Sequence, residues 1–290
     1  MTAGTPPSRR LERELAAARD GSGEHVVVGA MDEVGRGCLA GPVSVGIVVS
    51  DLVRRVPTGL RDSKLLPSHR REALVRPIRS WALACAVGHA SAAEIDDVGI
   101  MAALALAGRR ALAAIHAAGL VPAVLLLDGN HDWFTRRVDL FSALEDGSVG
   151  QSFPAGPAIP TGQRVPAGPA ILPEHEPRVV VRIKADMTCT GVAAASILAK
   201  VERDAMMREA HAADPRYAWD ENKGYASPSH IAALAQHGPS GLHRRSWRLP
   251  GVGSAGLGSA VGAEPPTGAG LGPAGGLDSE ETLERGMMVS

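Results

Sequence analysis

The sequence predicts an α/β domain in which five short strands are flanked by helices. Five runs of β-branched and small apolar residues are bounded by glycine- and proline-containing turns, as strands are. Between and after them, segments rich in alanine and leucine keep the spacing of a helix with one apolar face. The chain has 290 residues, of which 45% are hydrophobic, so it is long enough to bury a full core. Because only 3% of the residues are aromatic, that core must be aliphatic.

The predicted strands follow one another with turn residues between them. The first is nearly uncharged and rich in valine, which is typical of a strand buried on both faces. A glycine-rich turn joins it to the second. The predicted strands are 25–33, 42–50, 82–90, 123–127 and 179–183. The predicted helices are 92–98, 100–118 and 188–207, and Gly119 ends the second of them.

Four acidic residues lie at the ends of these elements. Asp32 and Glu33 end the first strand, Asp128 follows the fourth, and Asp186 precedes the last predicted helix. Each residue alone would more often be a turn, a cap or a surface charge, but the set predicts a cluster at one rim of the sheet. Carboxylate oxygens suit Mg²⁺ or Mn²⁺, whereas no histidine and cysteine set has the spacing of a zinc site.

The turn after Glu33 has the composition of a phosphate-binding loop. Gly35 and Gly37 permit positive φ angles and let backbone N–H groups come close to a ligand. Arg36 between them offers a guanidinium for a phosphate. The turn therefore predicts a phosphate site beside the acidic cluster.

The segment 29–43 resembles the opening motif of ribonuclease HII, the enzymes that cut DNA strands containing ribonucleotides. Further segments carry the same resemblance in the same order, and together they span roughly residues 25–248. Cys38 is a departure, because the family more often has proline there; cysteine is a small hydrophobe that the turn should tolerate. The further segments are Asp62-Ser63-Lys64, Leu127-Asp128-Gly129, Lys184-Ala185-Asp186, 193–204, Gly224-Tyr225 and 243–246.

The resemblance implies a ribonuclease H-like fold, with a mixed five-stranded sheet flanked by helices and a small helical C-terminal portion. It implies hydrolysis of the RNA strand of RNA–DNA hybrids, and incision 5′ of single ribonucleotides in duplex DNA by two-metal-ion catalysis. The products would carry 3′-hydroxyl and 5′-phosphate ends, and the cofactor would be Mg²⁺ or Mn²⁺. The implied catalytic and metal-binding residues are Asp32, Glu33, Asp128 and Asp186. The implied substrate-binding residues are Gly35, Arg36, Gly37, Lys64, Lys184 and Tyr225.

Several alternatives stay open from the sequence. Lys200 lies deep in a predicted helix and could pair with a carboxylate instead of a phosphate. His243-Arg244-Arg245 is either the family's C-terminal motif or a basic helix end. Another nuclease of the same fold, such as a junction resolvase or an integrase-like protein, would not need Gly35-Arg36-Gly37 and Tyr225. A catalytically silent hybrid-binding module would not need four carboxylates.

Composition divides the chain into a catalytic domain and less structured segments. Residues 147–177 contain seven prolines and five glycines, which predicts a flexible insertion. Residues 251–290 contain eleven glycines and predict a disordered tail. The expected organisation is an N-terminal extension, 1–24, a catalytic domain, 25–250, and the tail, 251–290.

Charge and cysteine content limit the partners and the compartment. The net charge is −1, but the tail holds five acidic residues and one basic, so the first 250 residues carry a small positive excess. Cys38, Cys85 and Cys189 are odd in number and widely spaced, which favours a reducing, cytoplasmic setting. No continuous apolar run of 18 residues indicates a membrane span. We expect a monomer whose partners are RNA–DNA hybrids and ribonucleotide-containing duplex DNA, with no membrane partner.

Overall fold

The computed structural model describes residues 6–17, 26–135 and 176–252. Within them, five strands form one mixed sheet in the order β3-β2-β1-β4-β5. The first three strands pair antiparallel, while β4 runs parallel to both β1 and β5. The predicted mixed five-stranded sheet is confirmed, with strand ends that differ from prediction by three residues or fewer. The strands are β1 Val28–Val34, β2 Val43–Val49, β3 Ala84–Ala90, β4 Val124–Asp128 and β5 Arg178–Arg182.

Helices cover both faces of the sheet. The helices are α1 Arg10–Ala16, α2 Ser68–Trp81, α3 Ala92–Ala117, α4 Ala185–Thr188, α5 Thr190–Ala213, α6 Trp219–Asn222 and α7 Pro228–His237. The helices predicted at 92–98 and 100–118 are the two parts of α3, which Gly99 interrupts with a φ of 78° and a ψ of 161°. The helix predicted at 188–207 begins at Thr190, because Cys189 has extended backbone angles, and continues to Ala213.

Two aliphatic clusters sandwich the sheet. On one face, α3 packs against side chains of the central strands that include Met31, Ile47 and Leu125. On the other face, α5 and α2 pack against β2 and β3 through the alanine-rich stretch 193–199. The fully buried residues are mostly valine, leucine, isoleucine and alanine, as the aliphatic composition predicts.

Helix α3 is long and apolar enough, by length and composition alone, to cross a membrane. Its buried residues, among them Leu104 and Leu112, contact the sheet, and this burial accounts for its apolar composition in the fold. The absence of a membrane partner stays a prediction.

The N-terminal and C-terminal segments both contact the central domain. In the first, Gly191 N–H donates to Glu12 Oε1 at 2.8 Å, so α1 is attached to the start of α5. In the second, the predicted helical C-terminal portion forms a small cluster around Tyr217, Trp219 and Leu234. The boundaries at residues 24 and 250 stay predictions. The predicted insertion, except residues 176 and 177, and the predicted tail after Val252 lie outside the described residues.

Candidate active site

The two central parallel strands bring Asp32 and Asp128 side by side. Pairing between β1 and β4 runs from Val28↔Val124 to Met31↔Leu127, so the next residue of each strand is an aspartate. Asp32 is buried, with 6% of its surface exposed. Antiparallel pairing of β1 with β2 continues to Val34, so Asp32 and Glu33 lie within β1 rather than beyond its end. The predicted strand end therefore describes only the pairing of β1 with β4, which stops at Met31. The pairing of β1 with β2 continues past Glu33.

Asp186 reaches the same place from the short helix α4. The N–H of its neighbour Ala185 donates to Asp128 Oδ1 at 2.6 Å, which joins the end of β4 to the start of α4. Lys64 Nζ donates to Asp186 Oδ2 at 3.1 Å. Asp186 is buried, whereas the Lys64 side chain is 76% exposed. The predicted phosphate contact Lys64 thus lies beside the acidic cluster, paired with one of its members.

The carboxylates of this cluster affect one another's ionisation. Burial raises the pKa of Asp32 well above its usual value, and the charges of Glu33, Asp128 and Asp186 raise it further, against a hydrogen bond from Ser196. Burial also raises the pKa of Asp128, with Asp186 as the next cause. Burial raises the pKa of Glu33, and the charge of Arg36 opposes that change. Four acidic groups from three separate parts of the chain therefore form one electrostatic unit.

The donor chemistry of this unit fits a hard divalent cation, because every candidate ligand is a carboxylate oxygen. Within the described residues, however, no three histidine, cysteine, aspartate or glutamate side chains are arranged closely enough to hold an ion as they are placed. Lys64 occupies one oxygen of Asp186, and the N–H of Ala185 occupies one oxygen of Asp128. An ion bound through these two oxygens would have to displace those donors, and the Lys64 side chain is 76% exposed.

The glycine-rich turn lies beside the cluster, and its glycines differ in role. Gly35 has a φ of 84°, and a Cβ there would collide with the guanidinium of Arg203. Gly37 does not have a positive φ, so only Gly35 uses the conformational freedom that both glycines permit. Nothing lies within 4 Å of a Cβ placed on Gly37, so a ligand can approach the backbone there. Between them, Arg36 NH1 lies 3.7 Å from Glu33 Oε1.

Tyr225 lines the same cavity of about 200 Å³ as the turn, and its side chain is hydrogen-bonded to Cys38, directly after Gly37. The side chain is partly exposed, and burial of the rest is the main cause that raises its pKa to about 12. Lys200 Nζ and Arg203 Cζ each lie 6.0 Å from the centre of its ring. The cavity is lined by Asp32, Glu33, Val34, Gly35, Arg36, Gly37, Ser63, Lys64, Arg71, Ser196, Lys200 and Tyr225.

The remaining predicted lysines have different surroundings. Lys200 Nζ donates to Asp204 Oδ1 at 2.5 Å, so the alternative of a carboxylate partner is confirmed. Lys184 is exposed, with a left-handed φ of 57°, directly before α4. It is not among the residues that line the cavity with Tyr225.

Sequence reasoning did not identify Arg71, Ser63 or Ser196 as parts of this site. Ser63 Oγ and Ser196 Oγ are hydrogen-bonded at 2.8 Å, which connects the Asp62-Ser63-Lys64 segment to α5. Arg71 NH1 donates to the carbonyl oxygens of Ser63 and Leu66 at 3.1 and 2.6 Å. Both serines stand inside segments that carry the family resemblance, whereas Arg71 stands in a helix that the sequence did not predict.

Comparison with known proteins places the chain in a family. The profile described as Ribonuclease HII matches residues 29–131 and 165–249. Ribonuclease HII of Streptomyces avermitilis is 39% identical over 242 residues, which cover 83% of this chain and 84% of the relative. Ribonuclease HII of Bordetella pertussis is 35% identical over 221 residues, covering 76% of this chain and 88% of the relative.

Solved structures support the fold. The RNase HII of Archaeoglobus fulgidus, solved as a complex with PCNA, superposes with a TM-score of 0.52 at 23% identity, covering 79% of this chain and 99% of that one. A mutant protein of Bst-RNase HIII superposes with a TM-score of 0.50 at 20% identity, covering 78% of this chain and 73% of that one. The matched profile and the relatives cover most of the described chain, carboxylate cluster included, and the chain therefore belongs to the ribonuclease HII family.

Proposed function

We propose that this protein incises duplex DNA on the 5′ side of single embedded ribonucleotides, in addition to degrading the RNA of RNA–DNA hybrids. Degradation of the RNA of hybrids follows from the family of this protein, because a ribonuclease HII is a ribonuclease H, a divalent-metal-dependent endonuclease. The observation that carries the site assignment is the convergence of Asp32 and Asp128, at the ends of the paired strands β1 and β4, with Asp186 beside the glycine-rich turn.

The four carboxylates are the proposed ligands of two divalent ions. When bound, such ions activate the attacking water and stabilise the charge on the scissile phosphate and on the leaving oxygen. Asp32 and Asp128 are held side by side by the pairing of β1 with β4, so they can reach the same ion. Asp186 and Glu33 flank them from α4 and β1. We propose Mg²⁺ or Mn²⁺ as the metal because the ligand set is all oxygen.

Basic side chains around the cluster would bind the substrate backbone. Lys64 lies next to Asp186, and its exposed ammonium can exchange that carboxylate for a phosphate oxygen. Arg36 is half exposed at the edge of the cavity and offers a planar fork to a phosphate. Lys184 is exposed just before Asp186, and we propose that it contacts the backbone farther from the cut.

Recognition of a ribonucleotide requires a direct hydrogen bond to its 2′-hydroxyl group. The backbone of Gly35, Arg36 and Gly37 is proposed to supply it, since the space around Gly37 is open to a ligand. Tyr225 lines the same cavity as the turn, where its ring can pack on a sugar. Together the turn and the tyrosine would both contact a single ribonucleotide.

A duplex containing one ribonucleotide tests this proposal. We expect cleavage in Mg²⁺ or Mn²⁺ and none in EDTA, at one position 5′ of the ribonucleotide, with 3′-hydroxyl and 5′-phosphate ends. An all-DNA duplex and a DNA four-way junction are the controls. Cutting of the junction without any ribonucleotide would favour a resolvase of the same fold. Binding of the duplex without cleavage would favour a silent binding module. We further propose that the protein acts as a monomer in the cytoplasm.

A further inference from the structure

The segment His243-Arg244-Arg245-Ser246, here called the C-terminal motif, is bonded to the glycine-rich turn directly and to the backbone of Tyr225 through His230. Its first two residues are buried and its last two are exposed. Asp96 at the start of α3 accepts hydrogen bonds from the N–H groups of Arg245 and Ser246 at 2.8 and 2.9 Å, which attach the motif to the central domain. A basic helix end, the alternative that the sequence left open, would lie in solvent instead.

Arg244 is hydrogen-bonded to the backbone of the glycine-rich turn. Its guanidinium donates to the carbonyl oxygens of Gly35, Arg36 and Gly41 at 2.6, 2.8 and 3.1 Å. The side chain is fully buried, and among the described residues no carboxylate forms an ion pair with it. A planar guanidinium that bonds three carbonyls of one turn restricts the shape of that turn, which an ammonium cannot do with the same geometry.

His243 is linked to Tyr225 through His230. The N–H of Ser240 donates to His243 Nδ1 at 3.0 Å, so the His243 proton lies on Nε2. That N–H donates to His230 Nε2, 3.0 Å away. His230 therefore carries its proton on Nδ1 and donates it to the carbonyl oxygen of Tyr225 at 2.8 Å. The partners at both ends assign one tautomer to each ring, and the chain of bonds is complete only when both imidazoles are neutral.

We infer that the C-terminal motif is a positioning element for ribonucleotide recognition: Arg244 sets the shape of the turn, and His243 sets the backbone of Tyr225 through His230. The inference rests on the proposed function, because it takes the turn and Tyr225 as the groups that contact the ribonucleotide. One segment of four residues thereby holds both the turn and the backbone of Tyr225 in place. A single embedded ribonucleotide offers one register for binding, whereas a long hybrid offers many, so a loosened cavity affects the single ribonucleotide more.

The first test compares Arg244→Lys with Arg245→Lys, which both keep the positive charge. We expect Arg244→Lys to lower kcat/KM for the single-ribonucleotide duplex by about tenfold or more, because a displacement near 1 Å can cost up to about a hundredfold. Cleavage of a long hybrid should fall by about threefold or less. Arg245→Lys, whose side chain is exposed, should change neither substrate by more than about twofold. An equal loss on both substrates in Arg244→Lys, no loss, or loss of the folded state would overturn the inference.

The second test reads the position of Tyr225 without substrate. The chain has two tyrosines, so 3-fluorotyrosine gives two ¹⁹F resonances, which Tyr225→Phe assigns. We expect His243→Leu to shift or broaden the Tyr225 resonance, whereas His243→Gln, which keeps an N–H donor near the Nε2 position, should preserve it. An unchanged Tyr225 resonance in His243→Leu, or the same change in both variants, would contradict the inference. If His243→Leu does not fold, then His243→Gln must still show the wild-type resonance and the wild-type ratio of the two activities.

These tests separate the inference from the proposed function. If the wild-type protein does not cleave the single-ribonucleotide duplex, the proposed function fails, while the ¹⁹F spectra still report whether the motif positions Tyr225. If the wild type cleaves it and Arg244→Lys keeps the wild-type ratio of activities, the proposed function stands and the inference fails.

Discussion

Asp128 lies where β4 meets α4, two of the three elements that carry the acidic cluster. It is the last residue of β4, and it accepts the N–H of Ala185 directly before Asp186. Its carboxylate thus has both a neighbouring charge and a backbone donor. An amide at this position would keep the shape and the acceptor oxygen but would remove the charge that a divalent ion needs.

Asp128→Asn should therefore lower cleavage by about a hundredfold or more, since loss of several kcal/mol of metal-dependent stabilisation has that effect on rate. Fluorescence anisotropy with an RNA–DNA hybrid should show binding within a few-fold of wild type. In EDTA the melting temperature should rise, because removing one of several like charges reduces their repulsion. Wild-type turnover in this variant would exclude Asp128 from the site.

Tyr225 is the proposed recognition residue, and its removal should separate the two activities. Tyr225→Ala should lower cleavage at a single ribonucleotide by about ten- to a hundredfold, as loss of an aromatic contact with a nucleotide costs about 1–3 kcal/mol. Hybrid cleavage should fall less, and the melting temperature should move little because the ring is partly exposed. If the variant unfolds, or if both substrates slow equally, Tyr225 has a structural role instead.

For single residues, the sequence identifies the candidate site residues better than the side-chain contacts that those residues make. Asp32, Glu33, Asp128 and Asp186 are recognisable because each stands beside a predicted element end within a resembling segment. The pairing of Lys64 with Asp186 joins residues far apart in sequence, and no local pattern encodes it. Arg203 and Arg244 bond to the carbonyl oxygens of Pro42 and Gly35 in the turn, and these contacts also join residues distant in sequence.

Among the elements, the strands are well predicted, whereas α1, α2 and the four-residue α4 are not. Strands β2 and β4 are buried and have continuous apolar runs, so composition alone marks them. Helix α2 buries few residues, Leu74, Ile78 and Trp81, and it contains Pro77, which usually interrupts a helix. Helix α1 is short, with seven residues, and its attachment depends on the contact of Glu12 with Gly191. Tertiary contacts therefore decide these two helices, and they also place Arg71 in the cavity.

His243, which packs between α6, α7 and the rest of the C-terminal motif, makes the stability of this part of the fold depend on pH. Burial is the main cause that lowers the pKa of His243 to about 4 from its usual value of 6.5, and His230 adds to the shift. Above pH 6.5 the ring is neutral in both the folded and the unfolded chain. As the pH falls from about 6.5 to about 4, the unfolded chain binds the proton first, so stability is lost across this window.

His243→Gln, which cannot titrate, should therefore show a weaker dependence of stability on pH than wild type. Between pH 7 and pH 5 the free energy of unfolding should fall by about 2 kcal/mol more in wild type, an order-of-magnitude value from the linkage relation. Urea unfolding at the two pH values measures this difference. Equal pH dependence in the two proteins would show that His243 titrates normally in the folded state.

For the whole molecule, composition predicts that the sheet and its helices carry out catalysis without the predicted insertion and the predicted tail. The family profile does not match residues 132–164, which lie between β4 and β5. The predicted insertion extends to residue 177, but Glu176 pairs with Arg109 at 3.1 Å and Val252 packs against the C-terminal cluster. A truncation should therefore spare both residues.

Replacing 147–175 with a short linker and ending the chain at Val252 should keep kcat/KM on short duplexes within a few-fold of wild type. Segments rich in proline and glycine bury too little apolar surface to form part of a core. Removing the acidic tail should also weaken the repulsion of nucleic acid slightly, an effect that higher salt reduces. Insoluble protein after either change would show that the removed segment packs against the domain.

A substitution of sulfur for a non-bridging oxygen of the scissile phosphate tests the carboxylate site most directly. Mg²⁺ binds sulfur poorly, whereas the softer Mn²⁺ and Cd²⁺ accept it. In a duplex with one ribonucleotide, at least one phosphorothioate diastereomer should block cleavage in Mg²⁺ and recover it in Mn²⁺ or Cd²⁺. Asp128→Asn should show no such recovery. Equal cleavage of the oxygen and sulfur substrates in Mg²⁺, or a block that no softer metal relieves for either diastereomer, would contradict metal binding at the cut by these four carboxylates.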